Sequence, residues 1–194
     1  MKIRGTAILA LVVSLLFITP SGAAANQMVS GEGNATVALN SITKSSIIEI
    51  SMSAAGPVEA TPVLRNGGKV FPWVDSTGPW SGTVFQEKEF KPIIGVKVQT
   101  SGPWIITVKP LAGAPRVTSG STSMVIQLKK ATRGAVTKKF THSGEGDFKV
   151  FPISGKGISG FPLAEETGAY SGRVVLPPGT KYIAITATGN WRMT

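Results

Sequence analysis

The chain has 194 residues, 42% of them hydrophobic and only 15% charged, with 23 glycines, 13 prolines and a net charge of +10. That length allows one domain or two small ones, and the glycine and proline content favours short strands joined by turns over long charged helices. There is no cysteine and one histidine, which excludes disulfide frameworks, thiol catalysis, thiolate metal sites and His-paired zinc.

Lys2 and Arg4 precede an apolar run, Ala7 to Ile18, followed by Pro20 and the small residues Ala23-Ala24-Ala25. This is the pattern of a secretory signal peptide over residues 1–25, cut before Asn26. About 12 apolar residues fall short of the roughly 20 that span a bilayer, so no transmembrane segment is expected after cleavage. An exported chain without cysteines must be held together by packing alone.

From residue 26 the apolar positions alternate: Val37 and Leu39, Ile48-Ile50-Met52, Ile94-Val96-Val98, Ile106-Val108. Period two indicates strands with one face buried. "QEKEFK", Gln86 to Lys91, and "LPPGTK", Leu176 to Lys181, are expected to be loops.

The chain then repeats itself. "FPWVDSTGPWSGTV", Phe71 to Val84, matches "FPLAEETGAYSGRV", Phe161 to Val174, at a shift of 90. "SGEGNATVAL" from Ser30 matches "SGSTSMVIQL" from Ser119 at a shift of 89, and Val96, Val98, Gly102 and Trp104 match Ile183, Ile185, Gly189 and Trp191 at 87. Between them a shift of 88 places Met52 on Phe140, Gly56 on Gly144 and Glu59 on Asp147, and sets His142 against Ala54.

The expected fold is therefore all-β: two tandem antiparallel β-sandwich modules, jelly-roll-like and of about seven strands each. They cover residues 26–112 and 119–194, with a linker at 113–118 inside "PLAGAPRVT". Around residue 182 either Tyr182-Ala184 or Ile183-Ile185 is the buried set. Trp104 and Trp191 are expected to drop onto the cores, each indole N–H needing one partner. Trp80 and Tyr170 are expected over the sandwich edge, with sugar stacking as an alternative role.

The order G-x-F, T-G-x-[WY]-S-G, G-x-W, written in the second copy as "GEGDFKV", "TGAYSGRV" and "TATGNW", resembles repeated β-sandwich modules of secreted Gram-positive, especially actinobacterial, proteins. The resemblance implies export and this fold; it implies no particular activity. The first copy departs from it, with "GPVEATPV" in place of "GEGDFKV".

Catalytic signatures are missing. His142 is expected at a surface or edge position, and acid–base work needs a positioned partner. "GKGISG", Gly155 to Gly160, fits G-x-G-x-x-G but leads into Phe161-Pro162 rather than a helix, so it is a hairpin loop and not a phosphate cradle. Glu145, Asp147, Glu165 and Glu166 would form a calcium site only if their loops converged. No cofactor and no enzymatic activity are expected.

The charge is uneven. Residues 26–113 carry seven basic and six acidic side chains, whereas residues 114–194 carry eleven and four. Five cations, Lys129, Lys130, Arg133, Lys138 and Lys139, fall in "KKATRGAVTKK" with no acid among them. Flanking one hairpin turn, they would concentrate a positive field that recruits an anionic cell-wall polymer or anionic membrane surface, or would merely solubilise an edge strand. Nucleic acid is not expected, since no aromatic-interleaved recognition motif accompanies the cations. Two functions follow as expectations: a secreted, non-catalytic binder of anionic envelope or extracellular polymers, or an exported cationic, bacteriocin-like antibacterial protein or its precursor. In the second case cleavage within "PLAGAPRVT" would release the basic module.

Overall fold

The computed structural model describes residues 26–89 and 91–194; the expected signal peptide lies outside the described residues. The first copy comprises β1 (Gln27–Glu32), β2 (Ala35–Ile42), β3 (Ser46–Met52), β4 (Val58–Leu64), β5 (Val74–Ser76), β6 (Trp80–Gln86), β7 (Ile93–Gln99) and β8 (Pro103–Pro110). They form two antiparallel sheets, ordered β1-β8-β3-β6 and β2-β7-β4-β5. That pair of orders is the eight-stranded jelly roll. The first copy thus has eight strands rather than seven.

The second copy has β9 (Ser119–Gln127), β10 (Val136–His142), β11 (Asp147–Ser154), β12 (Ala164–Thr167), β13 (Tyr170–Leu176) and β14 (Thr180–Met193). Six strands suffice because β9 and β14 each run through both layers. Near its start β14 pairs with β11 and with Met124–Gln127; near its end it pairs with β10 and with Ser119–Gly120, the register slipping between Ile185 and Trp191. The connectivity is otherwise that of the first copy.

Strand pairing corrects part of the internal alignment. Ile50 faces Gly82 as Phe140 faces Gly172, and Ala60 faces Val74 as Val150 faces Ala164. The shift from β3 to β6 is therefore 90 throughout, not 88 upstream. His142 takes the place of Met52, each lying between the aromatic of its T-G-x-[WY]-S-G motif and the later tryptophan. Lys149, not Asp147, takes the place of Glu59. Sequence matching slipped because small residues and glycines surround both stretches, whereas the ladder counts every residue.

The repeated motifs answer to packing. Trp104 and Trp191 are buried, their Nε1–H groups donating to the carbonyls of Gly33 (3.0 Å) and Thr122 (2.9 Å). Each indole lies flat against a glycine: a Cβ on Gly31 would meet Trp104 at 2.6 Å, and one on Gly120 would meet Trp191 at 2.8 Å. That explains the repeated Ser-Gly at 30–31 and 119–120. In W-S-G and Y-S-G, likewise, the ring of Trp80 or Tyr170 folds over the glycine two residues on. Truncating either buried tryptophan to alanine would cost about 3–5 kcal/mol.

The copies also pack on each other. Ile47 and Phe85 from the outer faces of β3 and β6 meet Val125, Ile153, Tyr182 and Ala184 of the second copy, with Leu111 and Ala114 of the connection between them. Val125 N–H donates to Thr83 Oγ1 (2.7 Å), and Ser45 Oγ–H to the Gly157 carbonyl (2.7 Å). Tyr182-Ala184 and Ile183-Ile185 are thus both covered, the first pair by the other copy and the second by its own core. The GKGISG loop is the turn that docks here.

Candidate functional site

The basic segment is the connection from β9 to β10, residues 128–135, at one end of the second sandwich. Thr132 fixes its path. Its N–H donates to the Thr180 carbonyl and its Oγ1–H to the Pro177 carbonyl (2.6 Å), while its own carbonyl and Oγ1 accept from the N–H groups of Gly179 and Thr180. Leu128 and Lys181 add a reciprocal tie, backbone N–H to Lys181 carbonyl and Nζ to Leu128 carbonyl. A loop so stapled to the β13–β14 turn presents its cations in a fixed frame. Nothing in the sequence singled Thr132 out.

Beneath this loop lies a groove of about 510 Å³, within the range of roughly 300–1,000 Å³ typical of ligand sites. Leu128, Val136, Leu176 and Met193 give it an apolar lining, and Arg116, Lys129, Lys130, Arg133 and Lys138 its charge. No acid lines it. Among the described residues the ion pairs are Lys109–Glu49, Lys149–Glu165 and Lys149–Asp147, so none of these five cations is neutralised by a carboxylate. Arg116, held by Nε–H donation to Gln127 Oε1 at 3.3 Å, was missed because it lies outside the lysine-rich run.

Four of the five expected cations converge on this groove, and Lys139 does not. Alternation sends Lys138 to the inner side of β10 with Phe140 and His142, and turns Lys139 to the outer face. There it lies opposite Arg173, with Arg192 opposite the next residue but one, Thr141. These three exposed cations make a second positive surface. Trp80 and Tyr170 are elsewhere. Tyr170 is paired with His142, about 20 Å of strand away from Val136, and its ring packs on Phe148 with centroids 5.2 Å apart. Trp80 packs against the first core.

The acids expected on converging loops are strand residues instead, Asp147 opening β11 and Glu165 and Glu166 lying in the paired β12. Lys149 projects among them, 2.7 Å from Glu165 Oε1 and 4.0 Å from Asp147 Oδ2, and the hydrogen bond it donates to Glu165 raises its pKa above the ordinary lysine value. Among the described residues no group of three or more acids and histidines converges as metal ligands.

Neither family models nor curated proteins match this chain. His142 is no surface residue: it is 4% exposed, its ring stacked on Phe148 at 4.9 Å and its Nδ1 2.8 Å from the Gly168 carbonyl. Among the described residues no hydrogen-bond partner reaches its buried Nε2. The groove itself contains no imidazole or carboxylate to serve as a base.

Proposed function

We propose that this is a secreted, non-catalytic protein that binds anionic polymers of the cell envelope or extracellular space through its second sandwich. The observation that carries the reading is the set of five un-neutralised cations on one pre-ordered groove with no acid in its lining. Scattered lysines that only solubilise a surface do not need a loop held by four Thr132 hydrogen bonds. The resemblance to secreted Gram-positive modules and the signal-like residues 1–25 support placing the partner outside the cell.

A polyanion held this way releases counterions, so binding weakens as salt shortens the Debye length from ~10 Å at 0.1 M to ~3 Å at 1 M. Sedimentation with purified cell wall and with polyphosphate measures it. The variant with Lys129, Lys130, Arg133 and Lys138 all changed to Gln is expected to lose at least tenfold in affinity at low salt. Equal binding by that variant and the parent would overturn the proposal. Killing of an indicator strain by the full chain would instead favour the antibacterial reading.

A further inference from the structure

A bare polymer of charges would use the rim and leave the groove unused. A small inorganic anion would fit the groove poorly, because its exposed apolar lining is Val117, Leu128 and Val136, above the buried Leu176 and Met193, and these side chains offer no donor to a desolvated charge. An uncharged apolar molecule would fill the depth but leave five like charges crowded around it. We propose that the groove binds the end of an amphiphilic anion: a single alkyl or acyl chain laid along Val117, Leu128, Ala131 and Val136, with its phosphate or carboxylate head held by Lys129, Lys130, Arg133 and Lys138. This rests on the polyanion reading and specifies it, since lipid-anchored envelope polymers and free single-chain lipids share this chemistry.

The first copy supplies an internal control. At the same end Lys138 is replaced by Ile48, fully buried, and Leu176 by Gln86, which accepts a hydrogen bond from Trp73 Nε1 at 2.5 Å. Trp73 itself packs in the core there. Charge and apolar opening therefore occur together, in one copy only, as a paired recognition of head and chain requires.

The test is equilibrium binding to the full chain of hexyl, octyl and decyl phosphate and decanoate below micelle formation, beside decyl maltoside, inorganic phosphate and polyphosphate. Each methylene buried tightens binding roughly fourfold, so affinity is expected to climb steeply from hexyl to decyl phosphate, with decyl maltoside at least tenfold weaker. Phosphate against carboxylate heads separates the two natural sources. Ala131→Trp, at an exposed position in the groove lining, is expected to weaken decyl phosphate at least tenfold.

No gain from hexyl to decyl, or equal binding of decyl maltoside, would overturn the inference. So would a folded Ala131→Trp variant that binds decyl phosphate undiminished. Polyphosphate binding that persists through any of these results leaves the electrostatic reading standing. Its loss would strike that reading separately. Should Ala131→Trp melt, the chain-length series on the parent protein decides alone.

Discussion

In the first sandwich Ile48 is buried between Val84 and Val108 in the ladder, and Gln86 turns inward to hold the Trp73 indole. At the matching end of the second sandwich Lys138 faces Val174, and Leu128 and Val136 stand partly open above the buried Leu176, in a groove rimmed by cations. The two ends share a backbone plan and differ in what stoppers them. Once two copies share one fold, one can keep its core sealed while the other spends stability on a charged opening. Function then concentrates where the copies diverge, and the residues they share, the tryptophans and the glycines beneath them, are the ones that hold the layers together.

Exchanging the stoppers tests this contrast most severely. Ile48→Lys would place an unpaired ammonium in the sealed core, a loss of several kcal/mol; denaturant titration should show the first copy unfolding at much lower concentration, or the protein failing to fold. The reverse exchange, Lys138→Ile, is expected to be tolerated, with stability unchanged or raised by about 1 kcal/mol, while polyphosphate affinity falls several-fold. If Lys138→Ile destabilises as much as Ile48→Lys, the two ends are not the contrasting environments described above.

The smallest effect is expected at Lys149, which stands where the first copy has Glu59. Glu165 raises its pKa, so the pair's contribution is complete below the unfolded lysine value near 10.5 and fades only as pH climbs through the higher folded value. Both partners are substantially exposed, so Lys149→Gln should cost less than about 1 kcal/mol at pH 7. The difference from the parent should vanish in strongly alkaline melts and persist at neutral pH.

Much of the architecture was legible in the residues. Alternation gave the strands, and the T-G-x-[WY]-S-G repeat gave the duplication because a ring folding over a glycine tolerates little change. The ambiguity at residues 182–185 was itself informative: four consecutive apolar residues mark a strand covered on both faces, one of them by the neighbouring copy. The cationic run was visible, but its division was not, because whether Lys138 or Lys139 faces the interior depends on register, which a one-residue slip reverses. The groove could not be read at all. Leu128 and Val136 are ordinary strand-end residues in sequence, and only the fold leaves them open beside the cations, above the buried Leu176 and Met193. His142 went astray through the slipped alignment, which set it against Ala54 instead of the buried Met52.

Leu111 and Ala114, buried between the copies, carry a further consequence. Arg116 and Val117 stand exposed just beyond them, inviting a trypsin-like enzyme, yet a peptide bond hydrolysed there would separate nothing. Both fragments would still elute as one particle in gel filtration, and only a denaturant would part them. Any release of the basic half as a free agent would have to begin by prying open that shared seam.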